Sequence, residues 1–249
     1  AVEPRSLPHY ARAAGAAGLV IAEPAWVAPQ GSGTLRSPGM ARDAHVAAWT
    51  AVTDAAHGAG GRLALPLWHA GRRAHPRVQP HGGWPVGPSV IAAPGDAATA
   101  DGPRPHPVPR ALETAEIPTI VEAFATAADR ALRAGFDAVE IHAADDGLIE
   151  QFLRADSNHR QDAYGGDEAG RSRLLVEIVD ELAVRIGAGR LGLRLDVEQI
   201  GAATLFADRG LAWLHVVPAA DDVPTALRHA FDGPIILGGA WPTETASVI

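Results

Sequence analysis

This sequence of 249 residues lacks two residue types that often carry specific chemistry. It has no cysteine, so disulfides, thiolate catalysis and cysteine-ligated metal sites are excluded. It has no lysine either, so its 21 basic side chains are all arginine, and 29 acidic residues bring the net charge to -8. Because an acidic chain without a basic stripe cannot neutralise nucleic-acid phosphates, we expect no nucleic-acid partner.

Long apolar runs are missing as well. No run of apolar residues is long enough to span a bilayer, and no signal peptide is visible. We therefore predict a cytoplasmic protein with no membrane partner. The length suits one barrel-sized domain, so residues 1–249 are expected to form a single domain. The heavy use of Ala, Gly, Pro and Arg is typical of a GC-rich bacterial genome.

The chain alternates between strand-like and helix-like segments, which favours a parallel sheet covered by helices. Apolar spacing predicts helices over residues 7–17, from Asp43 to about His57, over 114–133 and over 171–186. Short apolar runs predict six strands, over residues 18–22, 62–68, 136–141, 191–195, 212–217 and 234–237. Residues 72–110 are rich in Gly and Pro, and a loop of that length is usually functional or disordered.

Sequence motifs in a fixed order connect these segments to a known family. They are YARAAGAAGLVIAE, VAPQG, GGRLALPLWHAGR, PRALETAEIP, GFDAVEIHAADDG, QFLR and DAYGG. This set resembles the old yellow enzyme family, the flavin-dependent ene-reductases. The resemblance implies an α/β fold, a (β/α)8 TIM-type barrel, with residues 72–110 as a long loop and hairpin at the barrel mouth. The first and eighth strands are not evident in this sequence. Either they precede Ala1 and follow Ile249, or the barrel closes in an unusual way.

The end of the predicted strand at 136–141 is the most informative family position. In the family this strand ends in a His, an Asn follows three residues later, and the two side chains hold the substrate's carbonyl oxygen. Here His142 is present but Asp145 replaces the Asn, which changes a hydrogen-bond donor into an acceptor. The Tyr that commonly gives the proton is Gly147 here. We predict His142, Asp145 and Asp146 as catalytic residues, with helix capping as the alternative role of the two aspartates.

The family's flavin positions are partly changed. Pro24 stands where the family has a small Ala against the flavin ring, and Pro66 where it has a Gln that pairs with the pyrimidine edge. Proline offers neither an amide side chain nor a backbone N–H. If FMN is retained, its cofactor-binding residues would be Arg194 at the N1/O2 edge and Gly238 and Gly239 near the phosphate. Since each lost bond costs roughly 1–3 kcal/mol, we expect no cofactor, with FMN as the alternative.

We also expect a substrate pocket at the barrel mouth. Trp26 and Trp68 would give it an aromatic wall suited to an apolar substrate. Pro66, His69 and Gly147 are the other predicted pocket residues, although packing beneath the long loop is the favoured interpretation of His69. The histidines show no metal-ligand spacing, so no metal is predicted.

Three functions compete on these observations. The favoured one is an enzyme that has lost hydride transfer and acts as a flavin-independent cyclase or isomerase, for instance in a cycloaddition, by orienting an apolar polyketide-like natural product. The first alternative is an FMN-dependent NAD(P)H ene-reductase whose proton comes from water or another residue. The second is a non-catalytic binding remnant. The expected partner is a small apolar organic substrate, and a homo-oligomer stays possible.

Overall fold

The computed structural model describes residues 7–217, 227–228 and 230–238. The strands in chain order are β1 (Val20–Ile21), β2 (Ala25–Trp26), β3 (Leu63–Trp68), β4 (Val86–Gly87), β5 (Asp96–Thr99), β6 (Gly102–Pro105), β7 (Arg110–Ala111), β8 (Ala138–Ala143), β9 (Leu191–Asp196), β10 (Trp213–Val217) and β11 (Ile235–Leu237). The helices are α1 (Leu7–Ala16), α2 (Asp43–Gly58), α3 (Ile117–Arg133), α4 (Leu148–Leu153) and α5 (Glu168–Ile186).

The central sheet is parallel throughout. Its order is β1, β3, β8, β9, β10 and β11, and β2 also pairs with β3. Helices α2, α3 and α5 lie in the chain between successive strands of this sheet, as crossover connections between parallel neighbours require. Each of the six predicted strands lies within two residues of its observed bounds.

Side-chain alternation along the strands divides the molecule into an outer core and an inner face. Leu65, Ile141 and Leu193 point outwards and join the main apolar core with helix residues such as Phe124 and Ile178. The strand residues between them point inwards. This alternation is why polar side chains of β8 and β9 meet on the inner face. No helix among the described residues is long and apolar enough to cross a membrane.

The inner face contains a buried polar group above a small apolar cluster. Ala64, Ala138 and Trp213 form that cluster. Glu140 is fully buried next to it, and its Oε2 accepts from Trp213 Nε1 at 2.8 Å and lies 3.0 Å from His215 Nδ1. Gly192 makes room for the indole, since a Cβ there would lie 2.1 Å from the Trp213 ring. Pairing with two donors lets a carboxylate be retained inside the sheet.

Two prolines lie at a break in the sheet between β1 and β2. From Ile21 to Ala25 the chain advances four residues, whereas the paired residues Ala64 and Leu67 are three apart, so one extra residue is accommodated here as in a bulge. Pro24 falls inside this break. On β3 the carbonyls of Ala64 and Trp68 accept hydrogen bonds from backbone N–H groups on the β1–β2 side. Every second residue of a strand directs its backbone groups to the same side, so the backbone nitrogen of Pro66 also faces the break. The lack of an N–H at Pro66 therefore removes no hydrogen bond to β8.

The segment after β3 extends over the carboxyl ends of the strands. Within it β5 and β6 form an antiparallel hairpin, and β4 pairs with β7. Residues of this hairpin lie beside residues of β8 and β9 in the cavity described below.

Candidate active site

A cavity of about 770 Å³ opens where β3, β8 and β9 end. Residues 33–38 and the β5–β6 hairpin complete its wall. The carboxyl ends of parallel barrel strands are the face where such folds hold their sites. Four of the predicted site residues line this cavity, namely Trp68, His142, Asp145 and Arg194.

His142, Asp145 and Arg194 form a connected group at the cavity floor. His142 Nε2 lies 3.0 Å from Asp145 Oδ2, and Arg194 Nη2 donates to the same oxygen at 3.1 Å. His142 and Arg194 are register partners on β8 and β9, which explains why they are adjacent. The imidazole is almost fully buried, whereas the Asp145 side chain is 55% exposed. The group therefore presents its carboxylate, rather than its imidazole, to the cavity.

The electrostatics of this group favour an ionised carboxylate. The pKa of Asp145 is lowered, mainly by the hydrogen bond from His142 and further by the positive charge of Arg194, while partial burial opposes the shift. Within the part of the chain that the structure describes, His142 Nδ1 and Arg194 Nε are buried without a hydrogen-bond partner. Buried polar atoms of this kind usually pair with water or a ligand.

The loop after β8 holds Asp145 in an unusual backbone conformation. Asp145 and Asp146 both have positive φ values, 57° and 53°. Residues other than glycine adopt this left-handed region rarely, although Asp and Asn tolerate it best. Asp196 accepts from the Asp145 N–H at 3.0 Å, and Arg73 Nη1 donates to the Asp145 carbonyl at 2.6 Å. Strain that surrounding contacts maintain in this way is characteristic of functional loops.

Asp146 points away from the cavity and anchors the loop. Its carboxylate receives hydrogen bonds from Arg72 Nε and from Arg72 Nη2, the latter at 2.7 Å. Its N–H donates to Glu150 and its carbonyl accepts from Gln151. Gln151 also accepts from the Arg72 N–H at 3.0 Å. Asp146 is not among the residues that line the cavity, so its contacts are those of a support for Asp145.

The other predicted pocket residues lie behind the cavity wall. Trp26 is buried against His45 and donates from Nε1 to the Ser37 carbonyl at 3.2 Å. Pro66 is buried within β3. His69 is fully enclosed, its Nδ1 accepts from the Gly71 N–H at 3.0 Å, and burial lowers its pKa to about 4.

Gly147 is the N-cap of helix α4 and leaves little room for a side chain. A Cβ there would lie 3.2 Å from the Ala144 carbonyl oxygen and 3.9 Å from Trp68. Gly238 follows β11, and a Cβ at that position would lie 2.7 Å from Val217 Cγ2. Gly239 lies outside the described residues.

Several lining residues were not predicted from the sequence. Glu23, Arg73, Asp96 and His106 all face the cavity. Asp96 and His106 belong to the Gly- and Pro-rich segment, where no periodic pattern indicates which side chains turn inwards. Glu23 directly follows a predicted strand, and this strand-end position is the sequence signal that could have identified it as a site residue.

Comparisons with known proteins indicate what this site resembles. The sequence profile described as "NADH:flavin oxidoreductase / NADH oxidase family" matches residues 2–225. A putative 12-oxophytodienoate reductase 5 of Oryza sativa subsp. japonica is 34% identical over 273 residues, covering 99% of this chain and 72% of that protein. A chanoclavine-I aldehyde reductase of Penicillium roqueforti is 34% identical, covering 96% of this chain and 70% of that protein. With 12-oxophytodienoate reductase 1 of Oryza sativa subsp. japonica, the aligned part spans 50% of the relative's length.

Solved structures agree with the sequence relatives. The old yellow enzyme homologue from Zymomonas mobilis superposes with a TM-score of 0.93 at 37% identity, covering 99% of this chain and 75% of that chain. A morphinone reductase variant in complex with tetrahydroNAD gives a TM-score of 0.91 at 39% identity, covering 99% and 74%. These superpositions confirm the predicted α/β fold as a TIM-type barrel of the old yellow enzyme kind.

The same comparisons contradict the favoured functional prediction. A flavin-independent cyclase or isomerase and the absence of a cofactor are wrong expectations, because the matching family consists of FMN-binding oxidoreductases. The prediction gave too much weight to Pro66 and Pro24. They are two single positions, whereas the match to the family extends over residues 2–225, and the cavity forms with Pro24 in its wall and Pro66 within β3. The alternative of an FMN-dependent reductase is the better supported one.

Proposed function

Because this chain belongs to the NADH:flavin oxidoreductase / NADH oxidase family, we propose that it is an FMN-dependent oxidoreductase that uses NADH or NADPH to reduce a small organic substrate. Its relatives are reductases by name, among them 12-oxophytodienoate reductases and morphinone reductase. The substrate of this chain is a separate question, because the chain differs from the family pattern at Asp145, which lines the cavity, and at Gly147.

One observation carries the proposal, namely a large cavity with an unsatisfied arginine at its floor. A volume of about 770 Å³ falls within the range of cofactor pockets. Among the described residues, Arg194 Nε is buried and has no acceptor. A flavin presents carbonyl oxygen and ring nitrogen acceptors along its pyrimidine edge, so the donor set of this chain fits the cofactor there.

The prolines weaken this fit without preventing it. Pro66 offers no amide to the pyrimidine edge, and each lost hydrogen bond costs roughly 1–3 kcal/mol, or about 5- to 150-fold in affinity. Arg194, Trp68 and the backbone at Gly238 would contribute to holding FMN. Bound FMN would supply hydride transfer between the nicotinamide and the substrate.

The remaining side chains would bind and orient the substrate and supply its proton. Gly147 has no side chain to donate a proton. His106 lines the cavity from the hairpin side, and its Nδ1 is buried without a partner in the part of the chain that the structure describes. His106 is therefore the proposed proton donor, a role that imidazole fulfils in many enzymes near neutral pH.

Titration of the purified chain with FMN, followed by flavin fluorescence, tests the proposal. We expect saturable binding with a dissociation constant of about 1–50 μM, because some polar contacts are missing. Arg194→Gln should weaken binding by about tenfold or more, whereas Arg104→Gln, on the exposed face of the hairpin, should not. NADH or NADPH should then reduce the bound flavin, which the loss of its visible absorbance measures. Absence of FMN binding at about 1 mM, far above the affinities of functional cofactors, would overturn the proposal.

A further inference from the structure

The carboxylate at the cavity floor is presented as a hydrogen-bond acceptor. Asp145 Oδ2 is already occupied by His142 Nε2 and Arg194 Nη2. Asp145 Oδ1 accepts no hydrogen bond from any residue that the structure describes. The side chain is 55% exposed and lines the cavity. A ligand that reaches this point therefore meets an ionised oxygen with unused acceptor capacity.

The two donors beside Asp145 are not available to an incoming carbonyl. His142 Nε2 faces Oδ2 at 3.0 Å, and Arg194 Nη2 donates to that oxygen at 3.1 Å. A carbonyl oxygen placed here would meet a carboxylate oxygen, an acceptor opposite an acceptor. A carboxylate or phenolate ligand would add repulsion between like charges.

The acceptor is held in a fixed position. The backbone of Asp145 is fixed on one side by Asp196 and on the other by Arg73. The next residue is fixed by the Arg72–Asp146 pair, which is largely buried. The backbone is thus fixed at both residues, and the Asp145 side chain is held by its ion pairs with His142 and Arg194, both of which it would lose by turning away to expose His142.

Charges elsewhere in the cavity do not reverse this local preference. Glu23 and Asp96 contribute negative charge to the wall, and Arg36 and Arg73 contribute positive charge. These charges are balanced in number, so the atoms in direct contact decide which ligand group is bound.

We propose that this site recognises its substrate through an N–H donor on a planar nitrogen-containing group, rather than through a carbonyl oxygen. That nitrogen group is either cationic or neutral. The ligand class is thus an amidinium, an iminium or a related conjugated nitrogen compound, whose N–H would donate to Asp145 Oδ1. The proposal names the recognised group of the substrate in the proposed function, and so rests on that function.

Benzamidinium and benzoate test this directly, because the two ions have the same planar outline and opposite donor and charge character. Their binding to the full chain without FMN is measured by calorimetry at low salt. We expect benzamidinium to bind at least about tenfold more tightly than benzoate, as a charge-assisted pair allows. Benzamidinium binding that is absent, or no tighter than that of benzoate, overturns the proposal.

Asp145→Asn provides the decisive variant. Asn tolerates the left-handed backbone as Asp does, so the loop is expected to persist, and the melting temperature checks this. The variant should lose the preference for benzamidinium by about tenfold or more. Asp96→Asn, which changes another carboxylate that lines the cavity, should keep the preference. A preference unchanged in Asp145→Asn would show that another group selects the ligand.

The two proposals fail in distinguishable ways. Because the probes are measured without FMN, a chain that prefers benzamidinium but does not bind FMN disproves only the proposed function. A chain that binds FMN and whose flavin is reduced by NADH or NADPH, yet shows no preference for benzamidinium, disproves only the substrate class.

Discussion

His106 faces the cavity in a mixed electrostatic environment. Its pKa is lowered, first by burial and then by the positive charges of Arg73 and His75, while Asp146 and Asp96 act in the opposite direction. The imidazole is therefore mostly neutral at neutral pH, and its protonated form is a stronger acid than a solvent-exposed histidine. This combination gives a proton donor whose supply increases as the pH falls.

His106→Gln should separate the two half-reactions of the FMN-loaded enzyme. Reduction of the flavin by NADH needs no proton from the protein, so its rate should change little. Reduction of the substrate should slow by roughly 100-fold or more, since general acid catalysis contributes at that level. Stopped-flow absorbance of the flavin measures both rates, with the exposed His159→Gln as the control.

The pH dependence gives a second criterion for the same residue. In the unmodified enzyme the rate of substrate reduction should fall as pH rises through the lowered pKa of His106. In His106→Gln this dependence should flatten. Equal losses in both half-reactions, or a pH profile that the substitution leaves unaltered, would assign the proton to solvent.

At the scale of secondary structure elements, helix α4 and the loop before it share a buried carboxyl. Glu150 is almost completely buried, its carboxylate accepts from the Asp146 N–H, and Arg154 Nη1 lies 3.4 Å away. Burial raises the pKa of Glu150 to about 7, and the nearby negative charges of Asp196 and Asp146 add to the rise. Ionisation of this group in the folded protein is therefore unfavourable.

Glu150→Gln should make the protein more stable at alkaline pH. A carboxyl whose pKa is higher in the folded state keeps its proton longer, so stability falls as pH rises from about 4.5 to about 7 and then levels off. At pH 8 the substitution should raise the free energy of unfolding by about 1–3 kcal/mol. Near pH 4 the two proteins should be similar.

Urea unfolding across this pH range measures the effect of Glu150. Glu198→Gln, an exposed carboxylate on the neighbouring segment, is the matched control and should show no such gain. A gain that is equal at pH 4 and pH 8 would mean that packing, and not ionisation, distinguishes Gln from Glu.

At the scale of the whole molecule, cofactor binding should be visible as thermal stabilisation. A ligand that binds only the folded state at about 100 times its dissociation constant stabilises it by about 2.7 kcal/mol. For a chain of this size that corresponds to a rise of about 5–10 °C in Tm. Differential scanning fluorimetry with and without FMN measures the shift. A smaller shift for Arg194→Gln at the same FMN concentration is expected, and an unchanged Tm in the parent chain would contradict cofactor binding.

The fold could be predicted from the sequence because its signals are local and repeated. Six apolar runs, three of them followed by segments of helical spacing, indicated the parallel strands within two residues of their bounds. His142 and Arg194 could be placed at the cavity because both stand at strand ends. The contacts of Asp145 with both of them could not be predicted, since they depend on a left-handed loop. Trp26 was predicted to line the pocket, whereas in the structure Ser37 and His45 cover it. Strand alternation does not reveal which neighbours cover a side chain, so this contact could not be predicted.

The left-handed loop also bears on how this pocket can diverge. The loop requires a residue that tolerates positive φ at position 145, and Asp and Asn both do. Their codons differ by a single base, so the cavity floor can change between a carboxylate and an amide in one mutational step without refolding of the loop. Under the proposed recognition, such a step would change the group of the substrate that is bound and leave the backbone architecture as it is.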